Sequence, residues 1–327
     1  MARAARGAGL RASAAPWFDR HAGWTILRVP VLIALLATVI WTCSSWFSAR
    51  GSRHLSGVSG NLVRLAVSLP LAVLVAVLMG TDLLAARQHP ATWWFVLSGV
   101  VGMGLCDIAM LLSFSRLGLR LPSLLNNGCG ALMAAVVGWC WLGESLGLWQ
   151  ALAIAAVIAG LAAAVWPARG ELRADAAGIA YGVAAGLLFG LSAAITRHGF
   201  ECARDAGADA SFLEVTALRL AGGALITGGL WLALIGRPGA VRDGAGDWRR
   251  GAPLLAINGV LGAGAGVTVL NWALATTPVA QVQAVIATLP AMVLILGWIT
   301  GDSRPSLRSI LGTALCVAAV IWLTMLR

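Results

Sequence analysis

Ten times along this chain, about 20 mostly apolar residues follow one another with few charges, at about 24–47, 61–79, 93–115, 121–142, 148–166, 174–196, 212–235, 252–274, 280–300 and 309–325. A helix rises about 1.5 Å per residue, so runs of this length span the hydrocarbon core of a bilayer. In lipid every backbone N–H and C=O must be satisfied internally, which leaves helices or a closed barrel. Barrel strands alternate with period two, whereas these runs are apolar all round. The expectation is an all-α integral membrane protein with ten transmembrane helices. Composition agrees: 59% of residues are hydrophobic and 11% charged, against about 25% charged in a soluble domain. The longest loop, about 236–251, leaves no room for an extramembrane catalytic domain. Trp93, Trp94, Trp166 and Trp248 fall at span ends, where indoles anchor at the headgroups.

The charge does not mark nucleic acid. All 23 basic residues are arginine, against 13 acidic, for a net +10. They stand singly or in pairs rather than in a run, so they read as loop charge beside lipid headgroups. Residues 1–23 carry Arg3, Arg6, Arg11 and Arg20 and read as a cytoplasmic tail before the first span. No small-residue cleavage site follows that would make it a signal peptide. Ten spans put both ends on one side. The loop arginines show no clean asymmetry, so the orientation rests on the tail. The expected location is the cell inner membrane, multi-pass.

The two halves match span for span at an offset of about 150–160 residues. Arg64-Leu65-Ala66 corresponds to Arg219-Leu220-Ala221. Gly99-Val100-Val101-Gly102-Met103-Gly104 corresponds to Gly259-Val260-Leu261-Gly262-Ala263-Gly264. Gly143-Glu144-Ser145 corresponds to Gly301-Asp302-Ser303, and Trp41 with Ser44 and Ser45 to Phe189 with Ser192. Each half, about 24–166 and 174–326, holds five spans. Five is odd, so the second half enters the membrane from the opposite side. This is the two-fold inverted repeat of secondary transporters, with a substrate site expected near the midplane between the halves.

With these marks on the page, the chain resembles the ten-helix EamA-type branch of the drug/metabolite transporter superfamily over about residues 25–326. The marks are the aromatic-then-small patch Trp41-Thr42-Cys43-Ser44-Ser45 and its partner Phe189-Gly190-Leu191-Ser192, the Arg-Leu-Ala of each second helix, and the acidic turn Leu142-Gly143-Glu144-Ser145. Pro290 matches the family's mid-helix proline. The corresponding place in the fourth span reads Asn126-Asn127-Gly128-Cys129-Gly130, without proline, and the second acidic turn has Asp302 where glutamate is more usual. The resemblance implies a permease for small metabolites such as amino acids or amphiphilic compounds, often working outward on an ion or substrate gradient.

Asp107 lies in the middle of the third span. A central Asp costs about 2.5–3.5 kcal/mol to insert, so it should face a cavity or a partner. There it can bind a substrate ammonium, relay a proton or serve packing. Asn126 and Asn127 point about 100° apart on one helix, so both cannot face lipid comfortably, and Gly128 and Gly130 beside them loosen the helix. Trp41, Ser44 and Ser45 share one face of the first span. Ser192, Asn271 and Trp272 are the candidates of the second repeat. Arg64 and Arg219, a few residues into their spans, can snorkel to the headgroups and read as structural, lipid-anchoring or gating residues, with anionic-substrate binding the alternative. Glu144 and Asp302 also read as structural or gating residues and stand where carboxylates cap the next helix.

Other chemistry is not indicated. The six cysteines form no CxxC pair or zinc spacing, so no metal is expected. His21, His54, His89 and His198 form no catalytic set with Ser and Asp. The run Gly262–Gly266 lacks the strand and Lys-Ser/Thr of a phosphate loop, so no nucleotide or other cofactor is implied. The reading is a non-enzymatic secondary transporter, more in keeping with efflux. An importer of the same fold or a non-transporting membrane sensor or assembly protein is the alternative. Its partners are a small-molecule substrate, the lipid bilayer and a possible second copy of itself, with no nucleic acid.

Overall fold

The computed structural model describes residues 28–81, 83, 91–141, 147–165, 175–208, 210–234, 246–286, 288–300 and 307–325. These form ten helical passes in two repeats of five. They are α1 (Arg28–Gly51), α2 (Gly57–Leu78), α3 (Thr92–Leu117), α4 (Arg120–Cys140) and α5 (Leu148–Val165), then α6 (Ala176–Asp205), α7 (Phe212–Leu234), α8 (Trp248–Thr276), α9 in two pieces (Val279–Ile286 and Leu289–Ile299) and α10 (Leu307–Met325). Among the described residues, α1, α2, α3, α6, α7 and α8 contain segments long and apolar enough to cross a bilayer, and Leu148–Gly160 and Leu289–Ile299 are shorter apolar helices. The tail and the acidic turns at Glu144 and Asp302 lie outside the described residues.

Local chemistry sets the helix ends. The Ser56 hydroxyl accepts from Ser59 N at 3.2 Å, the Asp175 carboxylate from Ala177 N at 3.1 Å and the Asp247 carboxylate from Arg250 N at 3.2 Å, starting α2, α6 and α8. Gly118, at φ +72°, turns the chain between α3 and α4 in a conformation that disfavours a side chain. In α9 the helix restarts at Leu289 with Pro290 in its first turn, where the missing N–H costs nothing.

Three features depart from a straight reading of the runs. The first is that α4 continues unbroken through Asn126–Gly130, although two glycines were expected to loosen it. Gly130 is held against α6: a Cβ there would lie 3.0 Å from the Phe189 ring, whereas one at Gly128 would meet nothing within 4 Å. The second is that α6 runs on to Asp205, past the expected end at about 196. Its polar last turns are held by an Arg197–Glu201 pair at 2.8 Å, spaced i,i+4. The third is that α3 and α8 each contain a π-helical stretch, Val100–Cys106 and Gly259–Gly266, at repeat-equivalent positions. Such wider turns recur at functional sites.

The repeats are interlocked rather than side by side. Helix α1 packs on α8 and α6 on α3, while α2 and α7 lie against each other and against the opposite repeat's third helix. The contacts obey the internal symmetry. Ser44 Oγ donates to Asn258 O at 3.3 Å, and Ser192 Oγ donates to Ser98 O at 2.7 Å. A Cβ at Gly262 would strike Ser44 Oγ, and one at Gly102 would strike Ser192 Oγ. At Gly259 it would meet Arg64 O, and at Gly99 it would meet Arg219 O. Helices α5 and α10 pair at the periphery, with Trp149 and Trp322 rings 6.1 Å apart.

Ten passes define two faces. The near face is where α1 begins, and the far face carries the α1–α2 and α3–α4 turns. At the far face Arg116 meets Asp175 at 2.9 Å, and this bond holds the Asp175 carboxyl below the usual carboxylate range. At the near face His198 lies against the rings of Trp94 and Trp141, with centroids 4.7 and 4.9 Å away.

In α6, Gly178, Gly182, Gly186 and Gly190 recur every four residues and are buried, which gives a direct test. A Cβ at Gly186 would stand 2.7 Å from both Cys129 Cβ and the Leu125 carbonyl. Gly186→Leu should prevent assembly of α4 on α6, with loss of the monodisperse peak in size-exclusion chromatography. Gly99→Ala and Gly259→Ala press on backbone, which cannot rotate away. Each should lower stability by at least about 1–3 kcal/mol, seen as an earlier thermal unfolding transition in detergent.

Candidate functional site

A polar cavity of about 90 Å³ lies between the repeats, near the middles of α1, α3 and α6. It extends toward the far face, past Ser48 and Phe114. Seven of the residues singled out in the sequence meet here: Trp41, Ser44, Ser45, Arg64, Asp107, Asn126 and Asn127. Phe189 from the second repeat completes an aromatic wall, edge-on to Trp41 with centroids 5.7 Å apart. The Trp41 indole is fixed by donating Nε1–H to Gly262 O at 2.8 Å, across 221 residues of sequence. That carbonyl belongs to the π-helical stretch of α8.

The ionic centre is Arg64 with Asp107. Arg64 Nη2 lies 3.2 Å from Asp107 Oδ2. Arg64 Nη1 donates to Asn61 Oδ1 at 3.1 Å, and Asn61 Nδ2 donates to Met103 O at 2.8 Å and to Thr227 Oγ1 at 3.0 Å. A guanidinium a few residues into a span was expected to reach the headgroups. Here it turns inward because Asn61 and Asp107 supply acceptors. Arg64 Nε and Asn258 Oδ1, both on cavity-lining residues, have no hydrogen-bond partner.

Arg219 is the counterpart in the second repeat, only 1% exposed. Its Nη1 donates to Asn271 Oδ1 and its Nη2 to Ser192 Oγ at 3.1 Å. Asn271 Nδ2 in turn donates to Thr216 Oγ1 at 2.8 Å. The position equivalent to Asp107 is Val267, and among the described residues Arg219 has no carboxylate of its own repeat in contact. The inverted symmetry holds in the backbone and breaks in the charge.

Three second-repeat candidates lie apart from the cavity. Ser192 and Asn271 are buried and committed to Arg219. Trp272 is 40% exposed on the outer surface, stacked on Phe212 at 5.8 Å. Adjacent residues on a helix point about 100° apart, which sends the amide inward and the indole out. Within α4, Asn127 Nδ2 donates back to Ser123 O at 2.7 Å, and Asn126 Oδ1 lies 3.9 Å from Cys106 Sγ.

Three polar groups of this site, Ser48, Asn61 and Asn258, were not singled out in the sequence. Asn61 stands three residues before Arg64, a neighbour on a helix, and that spacing was a usable signal. Asn258 Nδ2 donates to Ser44 O at 2.9 Å, and nothing local to the eighth span announces that contact.

The near end of the bundle is clasped. Arg197 Nη1 donates to Leu274 O at 3.0 Å, and Arg204 Nη2 donates to Ala275 O at 3.2 Å. These are last-turn carbonyls of α8, at the negative end of its dipole. The repeat-equivalent of Arg197 is Ala49, which has no guanidinium to place on α3. Arg50 beside it lies over the Trp46 ring, 3.5 Å from the centroid.

Comparison with known proteins agrees with this architecture. A search of curated proteins found no match. A solved structure, described only as the crystal structure of a protein, superposes with a TM-score of 0.67 at 15% identity, over 91% of this chain and 96% of that one. At that identity the likeness speaks for the fold alone. The model of the EamA-like transporter family matches residues 28–166 and again 176–325. A ten-helix bundle of two interlocked inverted repeats, matched twice over nearly its full length, belongs to the EamA-like transporter family and is a multi-pass membrane transporter of small molecules.

Proposed function

We propose that the protein is a secondary transporter of the cell inner membrane that exports small metabolites, amino acids or amphiphilic compounds, by alternating access between its two repeats. The observation that carries this reading is an ion-paired polar cavity between the repeats in the middle of a lipid-facing bundle. Buried charge in such a place is expensive, and it persists where cargo or ions pass. Trp41 and Phe189 offer a wall for an apolar portion. Ser44, Ser45, Asn126 and Asn127 offer hydrogen bonds to a polar one. Asp107 is the coupling group: it can exchange its bond to Arg64 for a proton or for cargo. A second copy in the bilayer is compatible with this scheme, which does not require one.

The closed end supports the alternating part. With the near face clasped by Arg197 and Arg204, the cavity reaches toward the far face, which is the outer one if the tail is cytoplasmic. At about 90 Å³ it is smaller than the roughly 300–1,000 Å³ of ordinary ligand pockets. Admitting cargo therefore requires the repeats to part. The glycines of α3 and α8 present smooth faces to the opposite repeat, along which the Ser44 and Ser192 hydroxyls can slide.

Two outcomes follow. Asp107→Asn keeps a hydrogen-bonding amide but can carry neither charge nor proton. Flux of identified cargo in pH-clamped proteoliposomes should lose its pH dependence and fall about tenfold, or ~1.4 kcal/mol in barrier; an unchanged pH profile removes Asp107 from coupling. Arg197→Ala with Arg204→Ala should weaken the near-face clasp and slow export by a similar factor, while the protein still elutes as wild type. Cargo and direction are identified by comparing metabolites inside and outside cells that lack or overproduce the protein. Medium-side accumulation that tracks expression supports export. No flux with any accumulated metabolite would instead support a sensor or assembly role.

A further inference from the structure

The charges in the core do not balance. Among the described residues, two arginines of the core are buried, Arg219 completely and Arg64 nearly so, and Asp107 is the one carboxylate in contact with either. Arginine stays protonated under all protein conditions. The other acceptors around the pair are neutral: Asn61, Asn271 and Ser192. Neutral acceptors satisfy hydrogens without cancelling charge. The core therefore carries a surplus of one positive charge with Asp107 ionised, and of two with Asp107 protonated.

Both guanidiniums are placed to act on the cavity. Arg64 lines it and keeps Nε unpartnered. Arg219 stands behind the wall at Gly102 together with Ser192: an added Cβ at Gly102 would strike Ser192 Oγ and lie 3.5 Å from Arg219 Nη2. A wall of one glycine and one serine screens little in a low-dielectric interior. Beside this cationic side stand the Trp41 and Phe189 rings, which suit hydrocarbon.

Resting on the transporter reading above, we infer that the cargo is an organic monoanion, a carboxylate with an apolar portion, seated with its carboxylate toward Arg64 and Arg219. A surplus of one matches a carboxylate better than a doubly charged phosphate ester. It also argues against an ammonium seated on Asp107, the role an Asp at that depth suggests on its own. That carboxylate already faces Arg64, and a cationic cargo would add a further positive charge to a core that has too many. An inside-negative membrane potential drives such an anion outward, in the direction proposed for transport.

The test is binding by the purified full-length protein in detergent, measured by titration calorimetry with probes matched in skeleton. These are hexanoate, hexylamine and hexanol, and 3-phenylpropionate, 3-phenylpropylamine and 3-phenylpropanol. The acid of at least one set should bind, and its amine should bind at least about tenfold more weakly. Arg64→Gln and Arg219→Gln should each weaken the acid about tenfold. Removing a buried guanidinium also leaves its partners unpaired and perturbs folding, so Asp107→Asn is the decisive variant. It removes the competing anion and should tighten the acid about threefold or more. An amine that binds as well as its acid, no heat from either acid, or an Asp107→Asn protein that elutes as wild type but binds the acid more weakly would overturn the inference. Flux in proteoliposomes separates it from the reading it rests on. An acid that binds but is not carried leaves the anion site standing and rejects transport. Protein-dependent flux of permanently cationic quaternary-ammonium analogues, without that of the sulfonate analogues, does the reverse.

Discussion

Two buried arginine-bearing turns, each pressed against a glycine of the other repeat, hold this bundle together. The backbone of Arg64 lies where a side chain at Gly259 would stand, and that of Arg219 where one at Gly99 would stand. In lipid, burying apolar surface gives little drive to helix association, because the tails are as apolar as leucine. Close backbone approach and interhelical hydrogen bonds carry it instead. The symmetric bonds of Ser44 to Asn258 and Ser192 to Ser98 are of this kind. They tie the first helix of each repeat to the third helix of the other, so neither half closes its own core.

That arrangement explains how symmetry in the backbone coexists with asymmetry in function. The third helices share the same π-helical stretch and the same glycine contacts. Yet Asp107 faces Arg64, while Arg219 makes do with Asn271 and Ser192. The ends differ likewise, for Arg197 clasps the end of α8 where its repeat-equivalent is Ala49. A machine that exposes one site to two sides in turn needs two similar halves caught in different states, and the side chains supply that difference.

Much of this was legible in the chain. The helices follow from runs of apolar residues, and their ends fell within a few residues of the expected places except in α6. There Arg197 and Arg204 fall past the expected end because charge in a span is costly; the helix continues because those charges find Glu201 and the carbonyls of α8. The doublet at 126–127 was visible as cavity-prone, and both residues line the cavity. Its neighbours Gly128 and Gly130 suggested an unwound helix, since glycine lowers helix propensity. Packing against Phe189 and Gly186 overrides that local preference. The π-helical stretches left no local signal, because they depend on which helix presses against the glycines.

By itself the sequence determined the class, the number of passes, the repeat and its inversion, because hydrophobic length and an odd span count are properties of the chain alone. It also determined which residues were too polar to be indifferent to their place in the membrane. Only the tertiary structure decided what those residues do. Asp107 became the partner of Arg64, Asn271 the acceptor for Arg219, and Trp272 a surface indole. The physical reason is that a polar group in a membrane must find its partner in three dimensions, and here the partners are often supplied by the opposite repeat.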